Sequence, residues 1–243
     1  YGLVILPMTV IKRFHDCLLP THQAVLDTYK KVEKLAVKDG FLRKASGYQF
    51  YNTSPFTFKT LIADPNNIVD NFKAYINGFS DNVLDILARM DFNAQINHME
   101  EAGLLYQVIS DFCTKKGDFS PEKISAVDMG YVFENLVRRF SESYNEEAGA
   151  HFTSRDIIYL MSDLLVAGDE SAFTGDGISK KVYDMTMGTS QMLTCMEERL
   201  KQMDADADVT VFGQEFNPFT FGIAKADMLI RGGDPNNMQF GDT

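Results

Sequence analysis

Cysteine is scarce in this sequence, and no long apolar run is present. The three cysteines, Cys17, Cys113 and Cys195, are odd in number and far apart, which excludes a disulfide framework and a cysteine metal motif. We expect them to act as small buried apolar residues in a reducing compartment. The apolar stretch at 3–10 is interrupted by Pro7 and is far shorter than the roughly 20 residues of a membrane span.

The sequence also shows no signal-peptide pattern, no repeats and no excess of positive charge. The chain begins at Tyr1, and no basic region followed by an apolar run precedes the first helix. We therefore expect a cytoplasmic protein without a membrane segment. The net charge of −11 argues against a free-standing nucleic-acid binder, because phosphate neutralisation dominates such binding. Contact with DNA through a local basic face or a partner stays open. The best candidates for phosphate contact, each more readily explained as part of a solvated helix face, are Lys115, Lys116, Arg138 and Arg139.

Apolar residues at helical spacing dominate the first 140 residues. An apolar stripe from Val4 to Leu18 predicts one helix, and the charged stretch 29–38 predicts a second, exposed one. Four further helices are predicted around 68–79, 81–90, 104–112 and 125–140. Residues 40–65 mix aromatic and turn residues and give no firm assignment. We predict an all-helical N-terminal domain over residues 1–148.

A change of pattern near residue 150 predicts a second, α/β domain over 149–243. Thr153, with Asp156 three residues later, is typical of a helix N-cap. A strand ending at Asp184, a turn at Gly188 and a helix to Met203 follow, and a second strand ends at Glu215. Asn217 then caps a helix closed by Gly232, and a third strand ends at Asp242. A βαβ unit with an acid closing each strand suits a nucleoside, although plain structural βαβ units are common.

Four separated stretches resemble the modification (methyltransferase) subunit of type I restriction-modification systems, an N6-adenine DNA methyltransferase family. They are Met129-Gly-Tyr-Val-Phe-Glu-Asn-Leu136, Ala150-His-Phe-Thr-Ser154, Asp184-Met-Thr-Met-Gly-Thr-Ser190 and Gly213-Gln-Glu-Phe-Asn-Pro218. The resemblance implies a helical domain followed by a Rossmann-like domain that binds S-adenosyl-L-methionine, incomplete at its C-terminal side. It covers residues 66–243 well and residues 1–65 loosely.

The resemblance also implies a role for seven residues. Phe152 and Thr153 are expected at the methionine end of the cofactor, and Asp184, Gly188 and Thr189 at its amino-acid portion and near the ribose. Glu215 is expected to accept hydrogen bonds from the ribose hydroxyls, and Asp242 is expected to accept one from the adenine amino group. Met185 and Ser190 depart from the family pattern, which has proline and glycine there. Serine fits the turn only if its φ is negative.

The catalytic Asn-Pro-Pro-Tyr/Phe tetrapeptide of this family does not occur in the 243 residues, and we expect it beyond residue 243. The resemblance implies DNA, a specificity subunit, a restriction subunit and a second copy of the modification subunit as partners. No metal is expected. Two alternatives remain: a methyltransferase acting on RNA or protein, and a catalytically inactive scaffold subunit.

Overall fold

The protein is described from a computed structural model that covers residues 2–143, 153–168, 170–173 and 175–243. These residues form two compact units. The first comprises Tyr1–Phe133 with Ala226–Gly233, and the second comprises Glu134–Lys225 with Asp234–Thr243. The division falls within a helix, whereas the boundary predicted at 148/149 lies outside the described residues.

The first unit is helical. Its helices are α1 (Gly2–Leu18), α2 (His22–Val32), α3 (Asp39–Ser46), α4 (Phe58–Ile62), α5 (Ile68–Asn77), α6 (Asp81–Arg89), α7 (Phe92–Glu101) and α8 (Leu105–Phe112). Helix α9 (Ala126–Ser143) follows. The predicted helices at 68–79, 81–90, 104–112 and 125–140 are confirmed. The second helix predicted within residues 1–38 is confirmed as α2, but its predicted bounds of 29–38 are wrong, because α2 begins after a turn at Pro20 and ends at Val32.

Helix α1 is almost completely buried within the first unit. From Leu6 to Leu18 every residue is buried, polar ones included. Arg13 donates through Nη1 to the carbonyl oxygens of Phe119 (2.5 Å) and Ile124 (2.9 Å). The predicted single apolar stripe therefore understates the burial of α1, whose charged side chains find partners inside the unit.

The second unit contains a parallel sheet of order β1-β2-β3. Its elements are α10 (Arg155–Val166), β1 (Ser179–Asp184), α11 (Gln191–Met203), β2 (Asp208–Glu215), the first part of α12 (Pro218–Arg231) and β3 (Met238–Phe240). The residues of α12 from Ala226 onward are grouped with the first unit. Strand β1 pairs with β2 so that Asp184 faces Gly213, and β2 pairs with β3 so that Gly213 faces Met238. The predicted βαβ unit is confirmed. The third strand is shorter than predicted, because it ends at Phe240 rather than Asp242.

Within the residues that the structure describes, none of the helices has both the length and the apolarity that crossing a membrane requires.

Candidate functional site

The carboxyl ends of β1 and β2 lie at the same edge of the sheet. Asp184 closes β1 and Glu215 closes β2, and both side chains are half-buried. Parallel strands joined by a helix bring their carboxyl ends together, and ligands of open α/β sheets bind outside those ends. The two acids are therefore at the position where such a fold holds a ligand.

The turn after β1 folds back over the end of β2. The backbone N–H of Thr186 donates to Asp184 Oδ1 at 3.0 Å, and the N–H of Met187 donates to the carbonyl oxygen of Gln214 at 2.9 Å. Gly188 has φ +57°, in the left-handed region that favours glycine. The turn is thus tied to both strands.

Glu215 connects this turn to the start of α12. Its Oε2 accepts the Gly188 N–H at 3.0 Å, and its Oε1 accepts the Asn217 N–H at 2.7 Å. Asn217 caps α12 as predicted, because its Oδ1 accepts the N–H of Thr220 at 3.0 Å. An ionised carboxylate has about four lone-pair sites, so Glu215 retains acceptor capacity on each oxygen. It can therefore hold the turn and still accept two further hydrogen bonds.

Gly213 lets β2 pass close beneath the turn. A Cβ atom added there would stand 2.1 Å from Met187 Sδ and 3.0 Å from both Leu193 Cδ1 and Met238 Sδ. A side chain at this position would push the turn residue Met187 away from the sheet. The glycine two residues before Glu215 is therefore explained by packing.

A cavity of about 440 Å³ lies beside this turn. Five of the seven residues that the sequence predicted for the cofactor line it: Thr153, Asp184, Gly188, Thr189 and Glu215. Six further lining residues were not predicted from the sequence: Ile158, Met161, Thr186, Met187, Gln191 and Met192. The apolar spacing of Ile158 and Met161 predicted their helix but carried no signal that one side of it faces a cavity.

The two remaining predicted residues are Phe152 and Asp242. Phe152 lies outside the described residues. Asp242 is exposed, two residues beyond β3, where its backbone carbonyl accepts from Gln214 Nε2. The predicted N-cap at Thr153 is wrong by one position, because Ser154 occupies the extended N-cap geometry of α10.

Ser190 has φ +68° and is buried. This conformation is the one that favours glycine, so the condition of a negative φ is not met. The helix α11 begins immediately afterwards, and the Thr194 N–H donates to the Ser190 carbonyl at 3.1 Å. A non-glycine residue thus adopts a left-handed conformation at the entrance to α11.

The start of α10, which supplies one wall of the cavity, is held by a partly buried ion-pair cluster. Arg155 Nε is 2.5 Å from Glu134 Oε2 on α9, and Arg155 Nη1 is 3.9 Å from Glu198 Oε2 on α11. Burial alone lowers the pKa of an arginine, but the hydrogen bond to Glu134 raises the pKa of Arg155 well above its usual value. Glu134 belongs to the stretch 129–136 that resembles the family, so that stretch has a structural role in positioning α10.

Among the described residues, no three His, Cys, Asp or Glu side chains gather in a way that would hold a metal ion. A parallel sheet, a glycine turn at its carboxyl edge and an acid closing the second strand define the class of the second unit. It is a Rossmann-like α/β domain.

Comparisons with known proteins identify the family. The HsdM N-terminal domain family matches residues 1–112, and the N-6 DNA Methylase family matches residues 125–243. The methylase subunit of the type I restriction enzyme HindI from Haemophilus influenzae is 30% identical over 116 residues, which are 47% of this chain and 24% of that protein. The chain belongs to the family of type I restriction-modification methyltransferase subunits.

A solved structure shares the fold. The type I restriction-modification system methyltransferase subunit from Streptococcus thermophilus matches with a TM-score of 0.59 and 18% identity, over 98% of this chain and 53% of that one. The match thus covers about a quarter of the length of the curated relative, and the chain covers about half of the solved one.

Proposed function

We propose that this protein is the subunit of a type I restriction-modification complex that transfers a methyl group from S-adenosyl-L-methionine to adenine N6 in DNA. The observation that carries the proposal is the carboxylate of Glu215. It holds the Gly188 turn at the carboxyl edge of the sheet and keeps acceptor capacity toward the cavity.

The residues around the cavity fit the cofactor. Glu215 accepts the two ribose hydroxyls, as the acid at the end of the second strand does in nucleoside-binding βαβ units. Asp184, Gly188 and Thr189 hold the amino-acid portion, where a carboxylate and backbone N–H groups are both available. The cavity volume of about 440 Å³ is within the range of small-molecule sites, about 300–1,000 Å³.

Three further assignments complete the donor site. Phe152 and Thr153 contact the methionine end, and Asp242 accepts a hydrogen bond from the adenine amino group. The cofactor supplies an electrophilic sulfonium methyl group. The role of this chain's residues is to hold that methyl group at a fixed position, because proximity and orientation contribute much of the rate of group transfer.

The acceptor half of the reaction needs residues other than these. An adenine must leave the DNA stack to reach a methyl donor, and its amine must be made more nucleophilic. In the family, an Asn-Pro-Pro-Tyr/Phe tetrapeptide does this through hydrogen bonds to the amine and stacking on the base. That tetrapeptide does not occur in these 243 residues, so we assign only the donor half to them.

The proposed partners are DNA, the specificity subunit, the restriction subunit and a second copy of this subunit, in the cytoplasm. The net charge of −11 favours a subunit that leaves most DNA contacts to a partner. The left-handed conformation of Ser190 favours the second candidate function, a scaffold subunit that does not bind the cofactor. A methyltransferase acting on RNA or protein would use the same donor residues.

Calorimetric titration of S-adenosyl-L-methionine tests the proposal. We expect micromolar binding to the intact protein and an affinity lower by about 10- to 100-fold in the Glu215→Gln variant. The amide retains only one acceptor oxygen, and a hydrogen bond to a charged group contributes about 1.5–3 kcal/mol. Glu215→Ala should bind still more weakly.

The matched control is Asp208→Asn. Asp208 is an exposed acid at the opposite end of the same strand β2, and its variant should bind as the unmodified protein does. If the folded protein binds no cofactor, alone or with its partner subunits, the scaffold function replaces the proposal. An equal decrease in both variants would show that strand stability, rather than the Glu215 carboxylate, determines the affinity.

A further inference from the structure

The helical unit contains a second cavity, of about 360 Å³, that the methyltransferase reaction does not use. It lies between α1, the start of α4 and the segment that follows α8. Its volume is within the range of small-molecule sites, about 300–1,000 Å³. All of its lining residues belong to Tyr1–Phe133.

The lining carries an excess of positive charge, although the chain as a whole is acidic. Three lysines (Lys12, Lys59 and Lys115) and two aspartates (Asp16 and Asp118) line the cavity. Each aspartate already has a lysine partner: Asp16 pairs with Lys12, and Asp118 pairs with Lys123, which is not part of the lining.

Two of the lysines remain available to a ligand. Within the described part of the chain, neither Lys59 nor Lys115 forms an ion pair. Both are exposed at the side of the cavity that opens to solvent. Two ammonium groups without a counter-charge favour an anionic ligand.

Buried polar groups form the inner wall. Lys12, His15 and Asp16 are only 6%, 8% and 8% exposed, a degree of burial that is costly for ionisable side chains. Burial, with the charges of Lys12 and His22, lowers the pKa of His15 to about 3, and burial raises the pKa of the Cys113 thiol. A cleft that gathers groups with shifted pKa values is a typical place for a binding site.

The wall between the charged groups is aromatic. Phe58 and Phe112 line the cavity. Phe58 is only 1% exposed and lies with its ring centre 5.8 Å from Lys12 Nζ, so the half-buried Phe112 supplies the accessible aromatic surface. An aromatic wall beside two ammonium groups suits a ligand with an apolar body and one anionic end.

We propose that this cavity is a binding site for a small organic anion, with a phosphate or carboxylate group held by Lys59 and Lys115 and a flat apolar body against Phe112. The site is separate from the cofactor cavity and does not depend on the proposed methyl transfer. A nucleic-acid backbone would need an extended basic surface, whereas here both lysines line a single cavity.

Cys113 provides a local readout, because it lines the cavity and is half-buried, whereas Cys17 and Cys195 are 4% and 0% exposed. The probe is phenyl phosphate, and the measurement is the rate of Cys113 alkylation by N-ethylmaleimide, followed by mass spectrometry of the peptide in the intact protein. We expect phenyl phosphate to slow the alkylation saturably, with half-protection at a defined concentration.

The double variant K59Q/K115Q should raise the half-protection concentration about tenfold or more, since charge-assisted hydrogen bonds are the strong ones. Concentrations rather than rates are compared, because Lys59 also lowers the pKa of Cys113 and its removal changes thiol reactivity. The matched control is K116Q, which removes an exposed lysine next to Lys115 that is not part of the lining. Its half-protection concentration should equal that of the unmodified protein.

Three results would overturn the proposal: no protection by phenyl phosphate, an unchanged half-protection concentration in K59Q/K115Q, or equal protection by neutral benzyl alcohol. Benzoate in place of phenyl phosphate distinguishes a carboxylate from a phosphate ligand, and protection by either supports the site. Inorganic phosphate alone should protect weakly, and protection as strong as that by phenyl phosphate would overturn the role of the aromatic wall. S-adenosyl-L-methionine should leave Cys113 alkylation unchanged, which keeps this result independent of the cofactor titration.

Discussion

At the scale of single residues, Ser190 departs most from the expected chemistry. It combines φ +68° with burial, and a left-handed conformation costs a non-glycine residue about 1–2 kcal/mol. Gly188, two residues earlier, adopts a similar φ of +57° without that cost. The family pattern has glycine at both positions, so the serine places strain at one end of the turn that contacts Glu215.

We therefore expect Ser190→Gly to stabilise the protein by up to about 1 kcal/mol, because the relief of strain exceeds the entropy that glycine adds to the unfolded chain. Urea denaturation measures the change. The same variant should bind S-adenosyl-L-methionine at least as tightly as the unmodified protein, since it is closer to the family turn.

Ser190→Ala separates backbone strain from the hydroxyl group. Alanine keeps the Cβ atom that makes φ +68° unfavourable, so this variant should gain no stability. An equal gain of stability in the alanine variant would mean that the buried hydroxyl group, and not the backbone conformation, destabilises the protein.

At the scale of secondary-structure elements, α1 carries the largest number of buried ionisable groups among the described helices of the first unit. His15 is held on α1 with its Nδ1 3.1 Å from the hydroxyl of Tyr75 on α5. Burial, then the charges of Lys12 and His22, lowers the pKa of His15 to about 3. The helix therefore packs with this imidazole neutral.

The stability of the protein should consequently fall as the pH is lowered from about 6.5 toward 3. In that window the unfolded state binds a proton at His15 that the folded state does not, which costs about 1.4 kcal/mol per pH unit. At pH 5 the contribution amounts to about 2 kcal/mol. Urea denaturation at pH 7.5 and pH 5, with the unmodified protein and His15→Gln, measures it.

The unmodified protein and the His15→Gln variant share all other titratable groups. The contributions of those groups to the pH dependence of stability therefore cancel when the two are compared. His15→Gln should lose less stability than the unmodified protein between pH 7.5 and pH 5, by about 2 kcal/mol. His98→Gln, on the exposed side of α7, is the control and should retain the full pH dependence. If His15→Gln retained it as well, the imidazole would be protonated in the folded state.

Elements whose apolar residues recur at a regular spacing could be predicted from the sequence. Elements without such a spacing could not. Helices α5 and α6 present apolar residues at helical spacing, and β1 and β2 are short strands that end on acids. Helix α7 was not predicted, because it has only Phe92, Ile96 and Met99 as buried positions among amides and acids. Helix α4 was not predicted either, because it is five residues long and is defined by the hydrogen bonds of Thr57 and Thr60 rather than by a pattern.

The same distinction holds for the candidate site. Asp184, Gly188 and Glu215 were predictable because strand ends and turns are local features of the sequence. The walls from α10 were not, because the ion pair between Arg155 and Glu134 that positions this helix joins residues 21 positions apart. The sequence shows that serine stands where the family has glycine, but it does not determine the sign of φ at Ser190. That sign is known only from the structure.

At the scale of the whole molecule, the negative net charge limits the affinity of the isolated chain for DNA. The 34 acidic residues exceed the 23 basic ones, and counterion release by cationic contacts supplies most of the non-specific affinity for DNA. A subunit with this balance needs either a partner or a concentrated basic face. Among the predicted phosphate contacts, Lys115 lies at the small cavity of the first unit, and Arg138 contacts Asn135 on its own helix.

We therefore expect the isolated chain to bind duplex DNA more weakly than about 10⁻⁶ M at physiological salt, which is the tight end of non-specific binding. Fluorescence anisotropy of a labelled duplex, measured across a salt series, gives both the affinity and the number of phosphates contacted. Adding the proposed specificity subunit should tighten binding far more than the sum of the separate affinities.

Submicromolar binding by the chain alone would contradict this expectation and indicate a basic face. Replacing Lys115 and Lys116, or Arg138 and Arg139, by glutamine would then locate that face. Each side chain that neutralises a phosphate adds about one to the slope of log K against log salt, so the pair whose replacement flattens the slope by about two lies on the DNA. A pair whose replacement leaves the slope unchanged is a solvated helix face.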